Sequence, residues 1–151
     1  MIRKWTQAPI FQAVHRPVSW VPPGGAWEKP LDFLGGDPVF AFAGIGNPRS
    51  FLRTLEGIGI SCLGFGRYED HHAYSMKDLQ KLSGKAQSAG ASFLVTTEKD
   101  GIRLPVAWNP PIPVYCLRIR FEMSGGDRDR FHDWLMERLQ KKPVYPDGER
   151  S

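Results

Sequence analysis

The 151-residue sequence lacks the features that most directly identify nucleotide-binding, membrane-spanning and secreted proteins. No G-x-x-x-x-G-K-[ST] motif occurs, so the glycine-rich loop that cradles nucleotide phosphates is missing from this sequence. No run of about 18 apolar residues is present, which excludes an encoded transmembrane helix. The opening residues MIRKW have no apolar signal core, so we expect a cytoplasmic location.

Cysteine is scarce, since Cys62 and Cys116 are the only two in the sequence. Both lie in apolar, strand-like runs, where cysteine behaves as a small hydrophobic side chain. Neither a C-x-x-C motif nor a zinc-type spacing occurs, and disulfides are rare in the cytoplasm. We therefore predict buried thiols and no disulfide.

The overall composition is that of a globular protein with a weakly basic character. Hydrophobic residues make up 41% of the sequence and charged residues 24%, which argues against a disordered chain. The formal net charge of +4 favours anionic partners such as phosphate groups or an anionic membrane surface. No nucleic-acid-binding motif is present, so we do not expect a nucleic-acid partner.

Proline and glycine divide the chain into segments. Residues 1–36 hold five prolines and two glycine pairs, a density that breaks regular elements. We interpret them as a linker arm outside the core, with short strands within residues 10–21. Residues 37–140 are predicted to form the folded domain, and residues 141–151 a frayed basic tail.

The folded segment alternates apolar runs with helical patterns. The runs cover residues 39–43, 60–65, 93–95 and 114–117, the last reaching toward Phe121. Strands that alternate with helices favour right-handed crossovers and a parallel sheet. We predict an α/β fold, a three-layer α/β/α sandwich with a mostly parallel sheet of about four strands, preceded by the proline-rich arm.

Local signals mark where the predicted helices begin. Asn47 is a good N-cap before Pro48, and Ser75 with Asp78 forms a capping-box-like pair. Asp127 opens a last helix. The side chains predicted on the inner face of that helix are Phe131, Trp134, Leu135 and Leu139.

Two polar motifs follow apolar runs at predicted strand ends, where ligand sites of α/β sheets gather. The first contains Asp70, His71 and His72. It is read as a polar loop with a helix-capping aspartate, as a general base or proton relay, or as part of a metal site. A metal site needs three or four converging ligands, which this loop alone rarely supplies, and we assign no metal ligand.

The second polar motif is Thr96-Thr97-Glu98-Lys99-Asp100. One interpretation is an ordinary helix start, with a threonine cap and acidic residues in the first turn. In the other, Lys99 binds a phosphate with help from Thr97 or backbone N–H groups. Glu98 and Asp100 would then orient Lys99 or serve a metal shell.

A glycine-rich turn, Gly44-Ile45-Gly46-Asn47-Pro48, precedes the first predicted helix. The residue three after Gly46 is Arg49, so the turn does not match the G-x-G-x-x-G dinucleotide pattern. A tight turn with a capped helix is the favoured interpretation. A backbone role at a ligand stays open, because the turn lies on the same predicted edge as the two polar motifs.

Together these motifs carry a resemblance. The segment from Ala41 to Pro48, the Asp70-His71-His72 loop with Tyr74-Ser75, the Thr96–Asp100 motif and Arg103-Leu104 occur in order and resemble the C-terminal half of tetraacyldisaccharide 4'-kinase. That family is the lipid A kinase of Gram-negative bacteria, acting in lipopolysaccharide synthesis. The similar stretch runs from about residue 9 to about residue 135.

The resemblance implies two α/β/α domains joined by a short stranded linker, which residues 9–36 would match. The family transfers the γ-phosphate of ATP, with Mg²⁺, to the 4'-hydroxyl of a lipid A disaccharide 1-phosphate. The N-terminal domain carries the phosphate loop, the Mg²⁺ carboxylates and a membrane-associating helix, so ATP and Mg²⁺ are mostly bound outside this chain. The implied location is the cytoplasmic face of the inner membrane, as a peripheral protein.

The resemblance also implies roles for residues. A histidine of the Asp-His-His motif pairs with an aspartate of the N-terminal domain, and we assign that role to His71, with Asp70 beside it and His72 as the fallback. Lys99 would neutralise phosphate as a flexible point charge. Without the phosphate loop, this chain alone is expected to be inactive.

Two other function classes share features with this sequence. Asp-His-His motifs also occur in metal-dependent phosphoesterases, but these need several upstream aspartates, and only Asp32 and Asp37 precede the motif here. A non-catalytic module that binds an anionic ligand or lipid is the remaining alternative. Retained affinity for a lipid A precursor without ATP turnover would identify it.

Overall fold

The structure is a computed structural model and describes residues 8–140. Trp5 and the tail predicted from residue 141 lie outside the described residues. The chain divides into two compact units, of which the larger is Pro17–Arg120. The described part of the smaller unit comprises residues 8–16 and 121–140.

One five-stranded sheet has the strand order β1-β5-β4-β2-β3. The strands are β1 (Ala13–Val21), β2 (Val39–Ala43), β3 (Cys62–Arg67), β4 (Phe93–Thr97) and β5 (Val114–Met123). β2 pairs in parallel with β3 and with β4, and β4 pairs in parallel with β5. The prediction of a mostly parallel sheet is confirmed.

The helices are α1 (Pro48–Gly57), α2 (Met76–Ser88), α3 (Glu98–Gly101) and α4 (Asp127–Gln140), with a 3-10 helix at Leu31–Leu34. The Asn47 side chain accepts a hydrogen bond from the Ser50 N–H, and Pro48 takes the first turn. Ser75 and Asp78 make both bonds of a capping box. Both predicted helix starts are therefore confirmed.

Strand β2 is buried on both faces, and this creates the layered fold. Its odd-numbered residues pack with Phe51 and Leu55 of α1, and its even-numbered residues with Leu79 and Leu82 of α2. A continuously apolar strand is what two covered faces require. α1 and α2 therefore lie on opposite faces of the sheet, as the three-layer prediction states.

The fifth strand, β1, arises from the segment interpreted as an arm. Trp20 and Val21 at its end are essentially unexposed, and the Trp20 indole N–H donates to the Leu31 carbonyl at 3.0 Å. The prediction that this segment stays outside the core is wrong for these residues. The proline density was misleading because β1 is an edge strand with β5 as its one neighbour. Pro17 lacks an N–H group, and an edge strand tolerates this because one side of it forms no bonds to another strand. The division into arm and domain at residue 36 stays a prediction.

Helix α4 in the smaller unit buries less than its pattern predicted. None of its residues is fully buried, and Leu135 and Leu139 are exposed. Phe131 and Trp134 are half-buried against Phe11, with ring centroids 5.3 and 5.8 Å away. The prediction is wrong for the two leucines, because helical spacing reveals an apolar stripe without showing what covers it.

Both thiols are free, as predicted. Cys116 is buried, and burial raises its pKa to about 12. Cys62 is only half-buried, and burial raises its pKa as well. Within residues 8–140, no helix combines the length and apolar character needed to cross a bilayer.

Candidate active site

The loops that follow β2, β3 and β4 meet at one edge of the sheet, because parallel strands share the edge at which they end. The first and second loops are joined by the His71 N–H, which donates to the Gly44 carbonyl at 3.1 Å. The first and third are joined by the Gly44 N–H, which donates to Asp100 Oδ1 at 3.1 Å. The glycine turn and both polar motifs therefore lie together, as their positions in the sequence predicted.

A cavity of about 450 Å³ opens between the first two loops. Ile45 and Gly46 line it from the β2 side, and Arg67, Tyr68, Glu69 and Asp70 from the β3 side. The helices that follow these two strands cover opposite faces of the sheet. The strand order reverses between β2 and β4, so the topological switch point at which open α/β sheets bind ligands lies between the first and third loops, and the first loop also lines this cavity.

Asp100 is the structural centre of the site. Its carboxylate is fully buried. Oδ1 accepts from the Gly44 N–H at 3.1 Å and from the Tyr74 hydroxyl at 3.0 Å, while Oδ2 accepts from the Thr97 hydroxyl at 2.7 Å. A buried carboxylate with this many donors holds its surroundings in place. Asp100 therefore joins the loops of the site, and its part in ligand binding stays a prediction.

Tyr74 supplies the hydroxyl that covers this carboxylate. Burial, and then the negative charge of Asp100, raise the pKa of the Tyr74 hydroxyl well above its usual value. Its ring packs edge-on against Phe42, with centroids 5.7 Å apart. The neutral hydroxyl is therefore part of the folded core, and ionising it disrupts the site.

A Tyr74→Phe variant tests this point through pH dependence. A raised folded-state pKa means that the contribution is complete below about pH 10 and is lost as pH rises above it. We expect Tyr74→Phe to cost about 1.5–3 kcal/mol near neutral pH, since the bond is to a charged group. We also expect the variant to lose less stability than the wild type between about pH 8 and about pH 11.

Urea unfolding at both pH values measures these losses of stability, and an equal loss in the wild type and Tyr74→Phe would contradict the prediction. Tyr115→Phe is the matched control, because no hydrogen bond engages that hydroxyl within residues 8–140.

The two histidines of the second loop have different surroundings. His71 is exposed, with 69% of its side chain accessible, and its Nε2 lies 3.9 Å from Asp70 Oδ1. His72 is packed between the rings of Tyr68 and Tyr74, at 4.8 and 5.1 Å. Its Nε2 lies 3.2 Å from Asp78 Oδ2. His71 is free to meet a ligand, whereas His72 anchors the loop.

Asp78 completes that anchor at the start of α2. Hydrogen bonds from the Ser75 hydroxyl and N–H hold the pKa of the Asp78 carboxyl below its usual value, and the His72 bond acts in the same direction. The carboxylate is therefore ionised near neutral pH and accepts the His72 Nε2–H bond. The Asp78 side chain thus links the N-terminal cap of α2 to the Asp-His-His loop.

His71 has a left-handed backbone, with φ of +61°, and is the one non-glycine residue with positive φ in the described chain. Left-handed backbone is uncommon for residues other than glycine, although asparagine, aspartate and histidine adopt it more often than the rest, and residues of this kind cluster at functional sites. Its N–H bond to Gly44 holds this conformation. Gly44 has no room for a side chain, because a Cβ there would lie 2.9 Å from the Glu69 carbonyl.

The remaining predicted site residues lie on and beside the short helix α3. The Thr97 hydroxyl accepts from the Asp100 N–H at 3.1 Å and so caps the helix. Glu98 pairs with Arg118 at 2.9 Å. Lys99 is exposed, and within residues 8–140 no hydrogen bond or ion pair engages its ammonium group. Within residues 8–140 neither Glu98 nor Asp100 contacts the Lys99 ammonium group, and Lys99 is the residue of this motif that is free to meet an anion.

Sequence reasoning assigned no role to Tyr74 or Arg103, although both contact the Asp100 carboxylate. They follow the two polar motifs in the chain, but neither spacing indicates a shared partner. The described residues contain no cluster of three His, Cys, Asp or Glu side chains that could hold a metal ion.

Comparison with known proteins identifies the family. The family model for tetraacyldisaccharide-1-P 4'-kinase matches residues 3–140. A tetraacyldisaccharide 4'-kinase from Syntrophus aciditrophicus is 35% identical over 133 residues, which are 88% of this chain and 35% of that protein. One from Bradyrhizobium sp. is 46% identical over 115 residues, covering 73% of this chain and 33% of that protein. The chain thus spans about a third of the length of these relatives.

A solved structure shares the fold. The crystal structure of LpxK from Aquifex aeolicus in complex with ATP aligns with a TM-score of 0.56 at 22% identity. The alignment covers 89% of this chain and 38% of the other. The resemblance carried by the three loops, the match along the chain and this fold agree: the chain belongs to the tetraacyldisaccharide 4'-kinase family.

Proposed function

We propose that this chain is the C-terminal domain of an ATP-dependent kinase that phosphorylates the 4'-hydroxyl of tetraacyldisaccharide 1-phosphate, a lipid A precursor. The observation that carries the proposal is the exposed His71, presented on left-handed backbone beside the cavity between the first two loops, in a chain of this family. The other part of the complete enzyme would supply the phosphate loop and the Mg²⁺ ligands. This chain alone would then be inactive.

Phosphoryl transfer depends mostly on positioning and on charge neutralisation. The 4'-oxygen would bond to the γ-phosphorus as the bond to the bridging oxygen breaks, and ADP would leave with the electron pair. The hydroxyl proton would pass to a carboxylate–histidine pair, with His71 facing an aspartate of the missing domain and Asp70 beside it. Lys99, free and exposed, would neutralise phosphate charge.

The proposal includes partners and a place in the cell. The lipid acceptor is carried in the inner membrane, so the complete enzyme would act as a peripheral protein at its cytoplasmic face. The net charge of +4 favours that anionic surface.

The test uses the Syntrophus aciditrophicus relative. Its matched third is replaced by this chain, and we call the product the chimeric kinase. We expect ATP-dependent phosphorylation of tetraacyldisaccharide 1-phosphate by the chimeric kinase and none by this chain alone. A folded chimeric kinase without activity, measured beside the active parent enzyme, would contradict the proposed function. Binding of the lipid by this chain without turnover in the chimeric kinase would support the non-catalytic alternative instead.

A further inference from the structure

The Arg103 side chain contacts all three loops of the site, and no role has been assigned to it. Its Nη1 donates to the Asp100 carboxylate at 3.4 Å and to the Gly44 carbonyl at 3.3 Å. Its Nη2 donates to His71 Nδ1 at 3.2 Å. The side chain is only 20% exposed, so the guanidinium is held between the loops rather than in solvent.

The contact with His71 fixes a proton position. A guanidinium group has only donors, so Nδ1 of His71 must act as the acceptor and carry no proton. In a neutral imidazole the proton then resides on Nε2. Nε2 is the nitrogen on the side of Asp70, with its Oδ1 at 3.9 Å. The Nε2–H group of His71 is therefore the polar group that faces outward, and it can donate a hydrogen bond to a carboxylate.

The same guanidinium also supports the unusual backbone of His71. The Gly44 carbonyl accepts both the His71 N–H, at 3.1 Å, and Arg103 Nη1, at 3.3 Å. Asp100 accepts from Arg103 and from the Gly44 N–H with one oxygen, Oδ1. The His71 ring, the His71 backbone and the glycine turn at Gly44 are thus all hydrogen-bonded to the Asp100–Arg103 ion pair or to its immediate partners. A substitution of Arg103 is therefore expected to disturb all three.

We propose that Arg103 is the positioning residue of His71: it fixes the ring and its Nε2–H tautomer, so that His71 meets the reaction as a donor to a carboxylate. This inference rests on the proposed function. In the transfer step the carboxylate paired with Nε2–H takes the hydroxyl proton, while the 4'-oxygen bonds to the γ-phosphorus and ADP leaves. Arg103 itself touches neither the substrate nor the reacting atoms.

The first test reads the tautomer in the full chain, without any activity. Long-range ¹H–¹⁵N spectra of histidine-labelled protein are recorded for the wild type, Arg103→Met and Arg103→Lys, with His71→Asn to assign the signals. We expect a single Nε2–H form of His71 in the wild type and a mixture of tautomers in Arg103→Met. Arg118→Met is the matched control, because Arg118 pairs with Glu98 and Glu28 away from His71. A wild-type Nδ1–H form, or identical His71 signals in all variants, would overturn the proposal.

If Arg103→Met does not fold, the tautomer test is made with Arg103→Lys, because lysine keeps a positive charge beside Asp100. One ammonium group cannot span the three acceptors that the guanidinium fork reaches. We then expect the His71 signals of the lysine variant to shift toward the mixed tautomers while its far-ultraviolet spectrum stays that of the wild type. Unchanged His71 signals in that folded variant would overturn the proposal as well.

The second test measures the chimeric kinase. We expect Arg103→Met to lower kcat by about a hundredfold, with the KM values for ATP and lipid changed little, because misplacing a reacting group costs rate more than binding. Arg103→Lys should restore part of the loss. A rise in KM at unchanged kcat would instead assign Arg103 to substrate binding. If the parent chimeric kinase is inactive, the proposed function fails, while the tautomer spectra still decide whether Arg103 positions His71.

Discussion

Replacing His71 with alanine is expected to lower the kcat of the chimeric kinase by about a hundredfold to ten-thousandfold, the usual range for the loss of an acid–base group. The KM values for ATP and the lipid acceptor should change little, since the histidine acts on a proton that moves only in the transition state. Steady-state kinetics with both substrates varied separately measures the two effects. The physical basis is the exposure of His71 beside the cavity, where its Nε2 has no protein acceptor within hydrogen-bonding distance in the described chain.

Two other histidines give this prediction its controls. His132 is exposed on α4 next to Asp133, and His132→Ala should leave kcat unchanged. His72→Ala should instead lower stability, because it removes the ring packed between two tyrosines and the bond to Asp78. Equal kcat in His71→Ala and the wild type would remove His71 from the mechanism. A loss of kcat confined to His72→Ala, at full stability, would transfer the role to the second histidine.

Replacing Asp100 with alanine is expected to lower the free energy of unfolding by about 3–5 kcal/mol, as when one partner of a buried ion pair is removed. The variant would leave the Gly44 N–H, the Tyr74 hydroxyl and the Arg103 guanidinium without their common acceptor. Buried hydrogen-bond donors without partners lower stability, because they lose their bonds to water on folding and gain none in return. Urea unfolding of the full chain, followed by circular dichroism, measures the loss.

Asp37→Ala is the matched control for this loss. Asp37 is exposed just before β2, and its substitution should change stability by no more than about 0.5 kcal/mol. Asp100→Asn keeps one acceptor oxygen, so its loss of stability should be larger than that of Asp37→Ala and smaller than that of Asp100→Ala. This variant can replace Asp100→Ala in the comparison if the alanine variant does not fold. A loss in Asp100→Ala no larger than that in Asp37→Ala would show that the network contributes nothing to the fold.

The order of strands and helices, and the starts of two helices, were predictable because their causes are local. β2 is apolar at every position, which is enough to predict a strand covered on both faces. Asn47 before Pro48, and Ser75 three residues before Asp78, cap their helices through bonds within a single turn. The meeting of three motifs at one edge followed from the parallel sheet that these elements imply.

The tertiary structure decided the features that depend on distant partners. Trp20 enters the core through contacts with residues of later elements, so the proline-rich composition around it gave the wrong expectation. Two adjacent histidines differ because His72 contacts aromatic neighbours and Asp78, while His71 turns outward on left-handed backbone. Arg103 reaches Gly44 and His71 across 59 and 32 residues of chain. By itself the sequence therefore determined the elements and the edge of the sheet where the motifs gather. Which side chain is buried, anchored or free there was settled only by folding, because hydrogen bonds between loops depend on distances that no local pattern encodes.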